Sequence, residues 1–155
     1  MLKTLKILEW PNSKLAKAST ELSEMTTRHL NLIKNMYHTM YKSKGIGLAA
    51  NQVGSKAKIL VMDVHGNPLA MINPKIVKTS AETYISYEGC LSFPNTLVKV
   101  ERYKWVKVSY RDVHWNKCEE KLRKLEGRCF QHELDHLEGR TMMDCMIPGT
   151  EKSRE

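Results

Sequence analysis

Residues 131–137 read Gln-His-Glu-Leu-Asp-His-Leu. Two imidazoles, His132 and His136, stand four positions apart, and a carboxylate, Glu133, directly follows the first. On an α-helix positions i and i+4 lie one turn apart on a single face, so both rings can reach one metal ion. Glu133 is turned roughly 100° around the helix from His132. It can stand beside such an ion without ligating it and take a proton from an activated water. The segment points to hydrolysis. It also predicts a metal-binding helix from about Glu120 to Leu137, ending near Gly139.

Working back from that helix, the hydrophobic period changes. Lys58 to Val64 is β-rich, and His65-Gly66-Asn67-Pro68 is a turn. Leu69 to Ile72, Lys75 to Thr79 and Glu82 to Tyr87 read as further strands, and Leu97 to Glu101 and Lys104 to Arg111 alternate apolar with polar. Asp112 to Lys117 is a hairpin turn by its composition. From Thr20 to about Lys44, Leu22, Met25, His29, Ile33, Met36 and Met40 recur at helical steps, with Thr20 or Ser23 to cap the start and Gly45 at the stop. The methionines read as core filler. The order is helix, short strands, helix, which predicts an α+β fold with a mostly antiparallel sheet.

The 155 residues suffice for a single domain, and 41% hydrophobic with 27% charged residues fits a soluble globular chain. No apolar run approaches the ~20 residues of a membrane helix, and the N-terminus shows no signal-peptide core, so a cytoplasmic protein without a membrane partner is expected. Cys90, Cys118, Cys129 and Cys145 are too sparse for a disulfide framework. Metal ligation is the expected use of one of them. The net charge is +8. Lysines and arginines concentrate between Lys99 and Arg128, a face that can meet a ribosome or simply keep the protein solvated. No motif for specific nucleic-acid recognition accompanies it.

Two histidines need a third ligand, and spacing leaves two cysteines as candidates. Cys129 precedes His132 by three residues on the same helical face. Three turns of one straight helix spread their ligands over about 10 Å, however, which surrounds an ion poorly. Cys90, in Glu88-Gly89-Cys90-Leu91-Ser92, comes from elsewhere and closes a tetrahedron more easily. A third segment, Gly45-Ile46-Gly47-Leu48-Ala49-Ala50-Asn51-Gln52, permits close backbone approach at its glycines and ends on an amide donor. Taken alone it reads as a helix C-cap and a turn.

Together the three segments resemble peptide deformylase, whose members carry Gly-x-Gly-Leu-Ala-Ala-x-Gln, Glu-Gly-Cys-Leu-Ser and Gln-His-Glu-x-Asp-His-Leu motifs in that order. All three are intact here, as Gly45–Gln52, Glu88–Ser92 and Gln131–Leu137. The resemblance implies a peptide deformylase-like α+β catalytic domain. Cys90, His132 and His136 would be the ligands of one divalent ion, Fe²⁺ in the cell with Ni²⁺, Co²⁺ or Zn²⁺ also accepted. Glu133 would be the general base and acid. The Gln52 amide and the Leu91 backbone N–H would be oxyanion donors. Gly45, Ile46, Gly47, Tyr87, Glu88, Gly89, Leu125 and Cys129 would contact the substrate, the N-formyl-methionyl end of a nascent peptide. A monomer acting in the cytoplasm is implied, the host's if a phage encodes the chain.

Two departures stand out. Arg128 occupies a helix position that is usually apolar in the family. Many bacterial members continue into a C-terminal helix that docks on the ribosome, whereas here Pro148-Gly149 breaks any long helix. The chain thus resembles a minimal, phage-type member, read as one domain over residues 1–155 with a mobile tail from about residue 148. Two other readings compete. A metallopeptidase acting on internal bonds would lack the Cys90 motif. A structural metal site would show four protein ligands rather than three.

Overall fold

The computed structural model describes residues 1–154. Among them the elements are α1 (Thr27–Lys42), β1 (Gly47–Ala49), β2 (Ile59–Val64), β3 (Asn67–Thr79), β4 (Thr83–Cys90), β5 (Phe93–Tyr103), β6 (Trp105–Arg111), β7 (Lys117–Arg123), α2 (Lys124–Leu137), α3 (Met142–Cys145) and β8 (Lys152–Ser153). One antiparallel sheet has the order β1-β2-β3-β6-β7, and a second has β4-β5-β8. The architecture is α+β, as the residue pattern predicts.

The apolar run of β2 explains how the layers stack. Leu60, Met62 and Val64 join Phe130, Leu134 and Leu137 of α2 in one core. Ile59 and Val61 point the other way, into a core with Ile33, Met36 and Met40 of α1. Alternate residues of a strand face opposite sides, so a strand covered by helices on both sides must be apolar throughout. β6 lies further out and alternates: Val106, Val108 and Tyr110 are buried, and Lys107 is exposed. α2 is enclosed along most of its length, with every residue from Gly127 to Leu137 buried. Its end is a Schellman turn: Gly139, at φ 78°, donates to His136 O at 3.0 Å and Arg140 donates to Asp135 O at 2.8 Å.

The structure corrects several boundaries. α1 begins at Thr27, not Thr20. Thr26 Oγ1 accepts from His29 N at 3.3 Å while His29 Nδ1 accepts from Thr26 N at 3.2 Å, closing the cap. The residues before it are engaged elsewhere: Thr20 N donates to Lys56 O at 2.8 Å and Leu22 N to Asn73 Oδ1 at 2.9 Å. Leu22 and Met25 still pack on the α1 core, so their helical spacing reflects burial without a helix. Glu120–Arg123, expected to be helical, forms the end of β7 because it pairs residue by residue with β6. Lys124, at φ 54°, makes the break. The two expected strands across residues 69–79 are one strand, irregular around Asn73 at φ 53°. Gly45–Gln52 is not a cap and turn; it supplies β1 and a 3₁₀ turn over Ala50–Val53, with Lys44 taking the left-handed cap at φ 58°.

The tail runs along the second sheet. Thr96 and Leu97 of β5 pair with Ser153 and Lys152, and Arg154 N donates to Asn95 O at 2.9 Å. Without β8 the β5 edge of the β4–β5 pair would offer unpaired backbone groups, and the polar tail pairs with part of it.

Candidate active site

The site is built where α2 passes between the edge of each sheet. β1 forms one bank of an open cleft of about 520 Å³ and the end of β4 the other. A register shift between Gly89 and Cys90 pairs Cys90 with Phe93 rather than with Thr96. Such a bulge re-aims a side chain. Here it places Cys90 Sγ 3.2 Å from His136 Nε2.

Ligand atoms of Cys90, His132 and His136 all lie within 4.8 Å of one another. Tetrahedral bonds of about 2.3 Å to sulfur and about 2.05 Å to nitrogen put neighbouring ligand atoms about 3.6 Å apart, so the donor set fits a metal ion. Cys129 is not part of this group. Its buried Sγ contacts Ile46 O at 3.6 Å as part of the cleft wall.

Behind the ligands lies a charge network that residue spacing does not reveal. Glu88, expected among the substrate contacts, lines the cleft, and its carboxylate is engaged by neighbouring side chains. It meets His132 Nδ1 at 2.8 Å and accepts from Arg102 Nε and Nη2 at 2.8 and 2.9 Å. Arg102 Nη1 also donates to Asp135 at 2.6 Å. Arg128 is buried, with Nε 2.9 Å from Glu88 and Nη2 donating to the Ser86 and Val100 carbonyls. Arg102 and Arg128 therefore leave the expected basic face: two of its cations lie inside the molecule because buried carboxylates require them. Fixing one ring nitrogen of His132 on Glu88 leaves the other for an ion. His136 is steadied by Asn51, whose Nδ2 donates to the His136 carbonyl. Asn51 and Arg102 were absent from the predicted site. Arg102 falls in the gap between the strands expected over Leu97 to Glu101 and Lys104 to Arg111, where no sequence signal marks it.

Electrostatics at the ligands follows from burial and these neighbours. Burial alone would raise Glu88, but hydrogen bonds and charge from Arg102 and His132 prevail and hold it down at about 2. Burial, then the charges of His132 and Arg102, push His136 well below its usual value, which is the neutral form a ligand needs. Burial would also lower His132, yet Cys90, Glu88 and Glu133 draw it well above. The cluster around the sulfur thus favours a positive charge, and a divalent ion is one way to supply it.

Glu133 follows His132 on the helix and faces the cleft. Burial pushes its carboxyl up to about 7, against the opposing charge of His132. Its Oε1 has no hydrogen-bond partner among the described residues. A Cβ on Gly47 would stand 2.6 Å from both Glu133 Oε2 and Cys129 Sγ, so only glycine lets β1 pass so close. Gln52 is held by Ala49 N, which donates to its Oε1 at 3.0 Å. Its Nε2 donates to Ser92 Oγ at 3.0 Å and lies 3.7 Å from Cys90 Sγ. Ile46, Tyr87 and Leu125 line the mouth of the cleft and are 42%, 38% and 42% exposed, an apolar rim larger than solvent exposure alone would favour. Leu125 thus belongs to the rim and not to the helix core. Gly45, Gly89 and Leu91 also line the cleft.

A thiol and two imidazoles converging beside an unpaired buried carboxylate, in an open apolar cleft, define a metal-dependent hydrolase. The comparisons agree. The family model described as polypeptide deformylase matches residues 4–152. The peptide deformylase of Thermotoga neapolitana is 47% identical over 135 residues, 87% of this chain and 80% of that protein. The crystal structure of peptide deformylase from Thermotoga maritima superposes with a TM-score of 0.92 at 38% identity, over 94% of this chain and 99% of that one. The Ehrlichia chaffeensis peptide deformylase, solved in complex with actinonin, gives a TM-score of 0.92 at 35% identity over 95% and 91%. The chain belongs to the peptide deformylase family.

Proposed function

We propose that Cys90, His132 and His136 hold the metal ion of this deformylase and that Glu133, Gln52 and Leu91 act on the formyl group. The reaction is hydrolysis of the N-terminal formamide of formyl-methionine on newly made polypeptides, releasing formate and a free amine. The carrying observation is the convergence of one sulfur and two imidazoles beside Glu133. A bound divalent ion supplies Lewis acidity, which brings a water to a pKa of about 7. Glu133 takes that water's proton. Gln52 and Leu91 both line the cleft, and Gln52 Nε2 and the Leu91 N–H donate to the oxygen that gains charge at the formyl carbon, each such donor worth about 3–4 kcal/mol in the barrier. Glu133 then returns the proton to the departing amine. The methionine side chain lies along Ile46, Tyr87, Leu125 and Cys129, while Gly45, Gly47 and Gly89 allow the peptide backbone close approach.

A thiolate with two imidazoles accommodates several borderline ions, and Fe²⁺ in the cell is the proposed one, with Ni²⁺, Co²⁺ or Zn²⁺ able to replace it. The metal-loaded protein should release free amine from formyl-Met-Ala-Ser, and a metal-loaded sample without turnover would refute the reading. Cys90→Ser is expected to weaken metal affinity by more than about 10²-fold, measured by competition with a chromogenic chelator. Cys129→Ser should leave the affinity within about threefold of the parent; the reverse pattern would transfer the ligand role to Cys129.

The same proposal covers the setting. The chain acts as a single domain and a monomer in the cytoplasm; among the described residues no helix is long and apolar enough to cross a membrane. It meets the ribosome through the exposed cations of β7 and the start of α2, which include Lys121, Arg123 and Lys124. Charge reversal of these three should reduce co-sedimentation with ribosomes at low salt, where such contacts are strongest. Unchanged co-sedimentation would eliminate that face.

A further inference from the structure

The mouth of the cleft is cationic, and the hydrolysis itself uses none of these charges. Lys44 and Arg154 line the cleft. Lys44 leads into the Gly45–Gly47 bank. Arg154 follows β8 on the opposite bank, where a Cβ on Gly89 would stand 2.9 Å from its Nη1. Lys99 and Lys152 lie over the Tyr87 ring, 5.4 and 3.9 Å from its centroid. Among the described residues, none of these four side chains forms an ion pair. The carboxylates of the cleft, Glu88 and Glu133, are buried below, and Glu88 is already engaged by two arginines. Among the described residues, therefore, no carboxylate pairs with the cations at the rim.

We propose that Lys44 and Arg154 form a cationic collar that selects formylated peptides with an acidic side chain at the third residue. This rests on the deformylase reading above. An extended peptide advances about 3.3 Å per residue, so the third side chain lies about 7 Å beyond the methionine, outside the apolar slot. A chain leaving the cleft passes between its two banks and hence between the two cations. A carboxylate there gains from both, and an ammonium is repelled by both. One cation on each side of a concave site suits a single extended peptide. A nucleic-acid backbone would call for a basic stripe across an outer face. β8 has a direct part in this selection, since its pairing with β5 is what brings Arg154 to the rim.

The test compares formyl-Met-Ala-Asp-amide with formyl-Met-Ala-Lys-amide on the metal-loaded enzyme. The amides remove the terminal carboxylate, so the third side chain carries the only charge in either peptide. The kcat/KM ratio should favour the aspartyl peptide by about tenfold at low salt, mainly through KM, and should shrink toward one in 1 M salt. Arg154→Gln, a change at an exposed position, should lower the ratio, and the Lys44→Glu, Arg154→Glu pair should invert it. Turnover of both peptides with a ratio near one, or a ratio the variants leave unchanged, would overturn the collar. So would variants that keep the ratio but lose binding to ribosomal RNA. Absence of turnover on either peptide would refute the deformylase reading instead, and the collar with it.

Discussion

Glu133→Ala is expected to lose about 10²–10⁴-fold in kcat on formyl-Met-Ala-Ser while binding the same amount of metal as the parent. The argument begins with an unusual burial. Glu133 is 4% exposed, and its Oε1 has no hydrogen-bond partner among the described residues. A buried ionisable group without a partner costs stability, so a fold that keeps one uses it. Gly47 closes over Oε2 and Cys129 Sγ, which restricts the carboxyl to one position beside the ligand cluster. In the roles proposed above, removing it deletes a proton acceptor and no ligand. The variant should accordingly unfold at a temperature no lower than the parent's, because the alanine relieves an unmet desolvation cost. Metal content by elemental analysis, kcat and thermal midpoint together decide the matter. A variant that retains more than about a tenth of the parent rate would show that another group moves the proton.

Arg102→Ala is expected to produce the largest loss of stability of any single substitution near the site, about 3–5 kcal/mol, or roughly 6–20 °C in Tm. Arg102 is 6% exposed, binds Glu88 through two hydrogen bonds and Asp135 through a third, and joins β5 to β4 and α2. Its removal leaves two buried carboxylates short of charge. Arg128 still reaches Glu88 at 2.9 Å, and Arg140 still reaches Asp135 at 3.1 Å from a side chain 56% exposed. Neither replaces the lost bonds. Glu88 orients His132, so metal affinity should also fall, by about 10–100-fold. Urea unfolding of the metal-loaded variant measures the first effect and chelator competition the second. A stability change below about 1 kcal/mol would show that the two remaining arginines suffice.

The features that were legible before the structure are those that repeat locally. Buried residues on β6 alternate because a strand has period two, and Ile33, Met36 and Met40 recur because one helical face is covered. The errors share one cause. Leu22 and Met25 fit a helical period, yet their segment is held by Asn73 and Lys56. Glu120 to Arg123 have helix-forming side chains, yet pairing with β6 makes them a strand. In both places a distant partner outweighed the local preference. The pairing of Lys152 and Ser153 with β5 depends on a distant partner in the same way: they have no apolar pattern, and an open backbone edge on β5 receives them.

The site divides along the same line. The amino-acid sequence by itself determines that His132, His136 and Glu133 share one helix in working order, because their offsets are fixed by helical geometry over a single turn. It also determines, through three intact motifs, the family to which the chain belongs. Only the tertiary structure decides that Cys90 Sγ, 46 positions from His136 in the chain, arrives 3.2 Å from its ring while the neighbouring Cys129 becomes wall. Only it decides that Arg102 and Arg128 turn inward to Glu88 and that Arg154 returns to the cleft's mouth. The physical reason is that these contacts depend on a bulge, a strand register and the need of buried charges for partners. Those conditions arise only once distant segments are packed together.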